Sequence, residues 1–174
     1  MKIFRILFLV GKDRPGIVDD VSTFLFERGA NIEDSRMAAL GGRFSIMTLF
    51  SCASEQLSVI TTDLHKLTML GFEASIHEAE DPGAVPRQAG LPLKLEVISM
   101  DHPGIVRKVV SILHRFGVNI RALDTQVTKA PLSGTSLFDL TLEADVPAGT
   151  SMSAVKDELL RLAAEMNLDL NFLK

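Results

Sequence analysis

A chain of 174 residues carries 18 basic and 22 acidic side chains, a net charge of −4, with 47% hydrophobic and 23% charged residues. That is the composition of an ordinary globular protein, built as one large domain or two small ones. The acidic balance argues against a broad phosphate-binding surface, and with Tyr and Trp absent a stacking platform for bases could come only from Phe or His.

The first apolar run, Ile3 to Val10, reads as a strand. Arg5 interrupts it, it lacks a small-residue cleavage site and it is too short to span a bilayer. No membrane segment is expected, and a cytoplasmic location is. The run ends in the corner "DRPGIV", Asp13 to Val18. There Asp13 is expected to cap a helix and Pro15 to fit its first turn, where a missing N–H costs nothing. Helical spacing follows at Ile17, Val21, Phe24 and Leu25, with a stop near Gly29. A second strand is predicted from Asn31 to Ala39, a tight hairpin at Gly41-Gly42, and a third strand over "RFSIMTLFSC". The lone cysteine, Cys52, sits in that apolar run and reads as a small buried hydrophobe; it excludes an internal disulfide and a thiolate metal cluster. One helix should start near Ser54, with Leu57, Ile60, Leu64 and Leu67 on a face, before a short strand from Phe72 to His77.

Residues 80–91 fall in a stretch rich in Pro, Gly and charge without apolar period, and read as a linker. The order of elements then repeats. "LKLEVISM" is a strand, and "DHPGIV", Asp101 to Val106, is the same corner 88 positions on. Ile105, Val109, Ile112, Leu113 and Phe116 have helical spacing and stop at Gly117. Asn119-Ile120 repeats Asn31-Ile32 at the same offset. A strand to Thr128, the turn "KAPLSG", the strand "TSLFDLTLEA", a helix with Val155, Leu159, Leu162 and Met166, and a strand from Leu168 to Leu173 complete the copy. Agreement over so many elements is a duplication of a whole unit. The expectation is an α+β chain with two βαββαβ domains, residues 1–79 and 92–174. Each is a four-stranded antiparallel sheet with two helices on one face, the ferredoxin-like topology.

One sheet face of such a unit is bare. Strand alternation puts Leu7, Leu9, Leu95 and Val97 under the helices. On the opposite face the first copy has Ile6, Phe8 and Val10, with Met47 and Leu49. The second has Lys94, Glu96 and Ile98, with Asp139 and Thr141. An apolar outer face marks an interface. The first domain's outer face is therefore expected to be covered in a homodimer or by a protein partner, the alternative being that the linker folds back over it.

The corners could carry chemistry. A helix start offers unpaired backbone donors and partial positive charge, which suit a carboxylate. Gly16 and Gly104 would let a ligand approach the backbone. Asn31 and Asn119, read as nearby, or Asp13 and Asp101, could take an ammonium group. The same letters also make a plain strand-to-helix turn.

A βαββαβ unit with a D-x-P-G-I-V corner and a later G-x-N-I resembles the ACT domain, a regulatory module. Two such units in a short chain resemble the glycine cleavage system transcriptional repressor family. The resemblance implies a cytosolic, non-enzymatic regulator that works through a protein partner, a DNA-binding activator, and does not bind nucleic acid itself. It also implies side-by-side pairing of ACT units with a small amino acid, glycine or similar, at the seam. The ligand would touch the first turn of one unit and the start of the second strand of its neighbour. The matching residues are Asp13, Arg14, Pro15, Gly16, Ile17 and Asn31, and Asp101, His102, Pro103, Gly104, Ile105 and Asn119. The copies differ at Arg14 and His102, so two sites would differ in affinity and pH response.

The competing class is a small enzyme on the same scaffold. His65, His77, His102 and His114 form no metal-binding pair, and no nucleophile-elbow or phosphate-loop pattern appears. No metal, cofactor or catalytic residue is expected, and His102 alone stands in a corner.

Overall fold

The computed structural model describes residues 2–84, 90–131 and 133–173. The chain divides into two compact units, Met1–Pro86 and Arg87–Lys174. The first holds β1 (Lys2–Lys12), α1 (Ile17–Phe26), β2 (Asn31–Leu40), β3 (Arg43–Ala53), α2 (Ser54–Asp63), α3 (His65–Met69) and β4 (Phe72–Ala79). The second holds β5 (Gly90–Met100), α4 (Ile105–Arg115), β6 (Asn119–Lys129), β7 (Ser136–Pro147), α5 (Met152–Met166) and β8 (Asp169–Leu173). The sheets run β2-β3-β1-β4 and β6-β7-β5-β8, antiparallel throughout. This is the α+β, ferredoxin-like arrangement expected of each copy. β4 ends at Ala79 and β5 begins two residues ahead of 92; residues 85–89 of the expected linker lie outside the described residues.

Each unit has its own core. In the first, Leu7 and Leu9 on β1 meet Ile17, Val21, Phe24 and Leu25 on α1. In the second, Leu95 and Val97 on β5 meet Ile105, Val109, Ile112 and Leu113 on α4. The inward strand positions are those that alternation selects, because successive side chains point to opposite faces. Cys52 is buried in the first core, and burial pushes its thiol pKa up.

Three expectations are corrected. The spacing from Ser54 predicts one helix, but the chain breaks at Leu64. There it adopts tighter bonding, Leu64 N–H to Thr61 O at 3.3 Å and Leu67 N–H to Leu64 O at 3.1 Å. The β-branched pair Thr61-Thr62 precedes the break, and such residues weaken a helix interior. Ile60 and Leu67 still reach the core.

The corner aspartates are not helix caps. Gly16 is the cap of α1, at φ 87°, and Gly104 caps α4, at φ 101°. Neither helix has a side-chain capping bond. Pro15 and Pro103 lie in the turn ahead of the helix, not in it. The glycines are required by this left-handed backbone, which costs other residues about 1–2 kcal/mol. The corner is pinned at its base, where Asp13 N–H donates to Gly42 O and Asp101 N–H to Ser136 O, each at 3.0 Å.

The outer faces contrast as expected, with an adjusted register. Ile6 pairs Leu49 and Phe8 pairs Met47, while Lys94 pairs Glu143 and Glu96 pairs Thr141. Leu49 therefore corresponds to Glu143 and Met47 to Thr141, so Asp139 is the counterpart of Ser45. Phe8 remains 40% exposed and Met47 42%. In the second sheet Lys94 Nζ meets Glu143 at 2.6 Å on the same face.

Candidate ligand site at the helix-start corners

Pinning the corner to the neighbouring hairpin leaves the start of the helix open. The first intrahelical bond at each corner reaches back to the glycine: Asp20 N–H to Gly16 O at 2.9 Å, and Lys108 N–H to Gly104 O at 3.0 Å. The amides of Gly16, Ile17 and Val18, and of Gly104, Ile105 and Val106, meet no acceptor among the described residues. Such orphan donors, at the positive end of the helix dipole, are what a carboxylate requires.

The two corners differ in electrostatics. α1 carries Asp19 and Asp20 in its first turn; α4 carries no acid there and has Arg107 and Lys108 instead. Arg14 bends over the first corner, with Nη2 on Asp20 Oδ2 at 2.6 Å and Nη1 on Pro15 O at 3.3 Å. Its guanidinium also stands 5.3 Å from the Phe72 ring. His102, at the matching position, only faces its neighbour's carbonyl, Nδ1 to Pro103 O at 3.4 Å. A depression of ≈ 520 Å³ opens there, floored by Ile105, Val106, Val110 and Phe138 and edged by Asp101, His102, Gly104 and Arg107. A Cβ added at Gly104 would meet nothing within 4 Å. A larger groove of ≈ 760 Å³ between α4 and α5 has charged walls that pair with each other, Arg115 with Glu158 at 2.8 Å and Lys108 with Glu165 at 3.5 Å.

The asparagines are not near the corner of their own unit. Asn31 pairs Ser51, which pairs Phe4 at the far end of β1, eight residues and roughly 26 Å from Lys12. Asn119 pairs Asp145, which pairs Pro92, eight residues from Met100. A corner and its own asparagine therefore cannot grip one small molecule. The reading of them as nearby fails because α1 and α4 carry the chain from one end of the sheet to the other.

Sequence reasoning also missed a pair of bulges. The β2–β3 register slips between Ile32 and Asp34, and the β6–β7 register between Ile120 and Ala122. The extra residues are Glu33 and Arg121. A bulge re-aims its side chain, and both turn back on the asparagine end of the sheet. Glu33 Oε1 receives Ser51 Oγ at 2.5 Å, Lys2 Nζ at 2.9 Å and Asn31 Nδ2 at 3.2 Å. The bonds from Ser51, Lys2 and Asn31 hold its carboxyl pKa down, from 4.5 to about 2. Arg121 has the opposite charge and reaches Asp145 at 3.2 Å. Two residues of opposite sign, each two places after the matching Asn, were the available signal.

Because the folded pKa of Glu33 is depressed, its stabilising contribution is complete above pH 4.5 and is lost as pH falls towards 2. Glu33→Gln is expected to flatten that part of the acid-unfolding curve. An unchanged acid limb in a urea titration across pH 2–5 would contradict it.

Comparison with known proteins agrees with this architecture. A sequence model of the ACT domain matches residues 6–77. The glycine cleavage system transcriptional repressor of Escherichia coli (strain K12) is 24% identical over 165 residues, 94% of this chain and 86% of that protein. The crystal structure of an unknown protein from Galdieria sulphuraria superposes with a TM-score of 0.84 at 31% identity, covering 99% of this chain and 98% of that one. A crystal structure assigned to a glycine cleavage system transcriptional repressor has a TM-score of 0.71 at 23% identity, covering 100% and 99%. Among the described residues no helix is long and apolar enough to cross a membrane. The first unit thus matches the ACT domain, the second repeats its βαββαβ topology, and the chain as a whole is similar to the glycine cleavage system transcriptional repressor.

Proposed function

We propose that this chain is a cytoplasmic, non-enzymatic regulator that binds a small amino acid, glycine or a close relative, and transmits its presence to a protein partner in transcriptional control of glycine cleavage. The observation that carries the reading is the set of unclaimed amides at each corner. At the second corner they open on a depression bordered by Arg107. The ligand carboxylate sits on those amides, and Gly104 keeps the approach clear. The ammonium group goes to an asparagine at the start of a second strand, Asn31 or Asn119, contributed by a unit other than the one supplying the corner. The residues between β4 and β5 serve as the tether. The first corner, with Asp19, Asp20 and a bridging Arg14, is the weaker anion receptor.

The partner need not touch nucleic acid through this chain. A DNA-binding activator would be read as a protein surface, and the ligand biases that contact only by its difference in affinity for two states. The apolar outer face of the first sheet is assigned to pairing with a second copy.

Thermal unfolding in glycine, serine and alanine tests the binding step. A ligand at a hundred times its Kd adds about 2.7 kcal/mol of stability, a melting rise of several degrees for units of this size. No rise for any of the three at about 10 mM, a concentration at which a millimolar Kd still gives about 1.4 kcal/mol, would sink the sensing role.

A further inference from the structure

The contacts of Asn31 and Asn119 are unequal, and this decides what each can recognise. An ionised carboxylate only accepts hydrogen bonds, so the Asn31 atom facing Glu33 must be the amide nitrogen. The bond is Nδ2 to Oε1 at 3.2 Å, on an oxygen already fixed by Ser51 and Lys2. The other end of the carboxamide, Oδ1, is then turned outward on an exposed residue, and no donor among the described residues reaches it. An outward carbonyl oxygen accepts a charge-assisted bond from an ammonium group, only a weaker neutral one from a hydroxyl, and has nothing to give a carboxylate oxygen. At Asn119 the lock is absent. Arg121 replaces Glu33, is itself a donor, and is drawn to Asp145 and Glu143. Among the described residues no acceptor fixes the Asn119 amide, so it can present either end.

We propose that Glu33 is a positioning residue that holds Asn31 with its carbonyl oxygen outward, making the start of β2 the half-site that selects amino acids over their hydroxy-acid analogues. The inference rests on the amino-acid reading above. It assigns the selectivity to one of the two asparagines and to a residue that does not itself touch the ligand.

Calorimetric titration of the full chain with glycine and with glycolate tests it, because the two differ only in ammonium against hydroxyl. The unmodified chain is expected to prefer glycine roughly ten- to hundredfold, the range for one hydrogen bond from a charged donor. Glu33→Ala and Glu33→Arg, the latter copying the second unit, should each cut that ratio at least about fivefold. A ratio unchanged in both Glu33 variants overturns the positioning role. If neither variant folds, nitrogen-15 relaxation of the unmodified chain decides: the Asn31 side-chain amide must be more rigid than that of Asn119, and equal mobility overturns the lock. Absence of glycine, serine and alanine binding to the unmodified chain would instead defeat the amino-acid reading itself.

Discussion

Phe8→Glu combined with Met47→Thr is expected to convert the chain from a dimer to a monomer in sedimentation at micromolar concentration, with its circular dichroism unchanged. The two residues face each other across β1 and β3 and remain about two-fifths exposed. Their partners in the second unit are Glu96 and Thr141, so the same fold already carries this pair on the same face. The fold should therefore survive the exchange while the contact does not. Each large apolar side chain taken from a buried interface costs about 1.5–3 kcal/mol. Two per copy, even half-buried, remove about 3 kcal/mol or more, a hundredfold or greater weakening of association. An unmodified chain that is already monomeric, or a variant of unchanged mass, would remove the pairing role of this face.

Leu95→Ala should lower the stability of the second unit by about 3 kcal/mol. Leu95 is fully buried at the middle of β5, between Leu142 on β7 and Phe172 on β8. Truncating it removes transfer energy and leaves a cavity that a sheet interior cannot close. In a unit of fewer than 100 residues that is a large part of the whole stability. Hydrogen exchange should accelerate about a hundredfold in β5 and β7, and much less in β1 and β3, whose core is built from other residues. Equal acceleration in both units would show that they unfold as one.

Most of the architecture was legible because it depends on local rules. Alternation at Leu7 and Leu9, helical spacing at Val21 and Leu25, and the Gly41-Gly42 hairpin each need only neighbours in the chain. The corner was legible as a turn, yet its geometry was not. Asp13 looks like a cap by residue type, but the left-handed angle of Gly16 moves the cap three residues on. The break at Leu64 was equally hidden, since the apolar spacing continues through it.

The candidate site divides along the same line. Asp13 to Ile17 and Asp101 to Ile105 are contiguous, so their convergence on a helix start follows from the chain itself. The separation of each asparagine from its own corner follows from strand pairing. Glu33 and Arg121 became visible only when the ladder was seen to slip beside them.

The amino-acid order by itself determined the duplication, the element types, the cores and the reversal of polarity between the two outer faces. These are set by side-chain period, which a linear chain displays. Tertiary structure alone decided the bulges, the unequal corners and the hold of Glu33 on Asn31. Those depend on register and on groups 18 or more residues apart meeting within a hydrogen bond's reach, as Ser51 and Glu33 do, which no local pattern encodes.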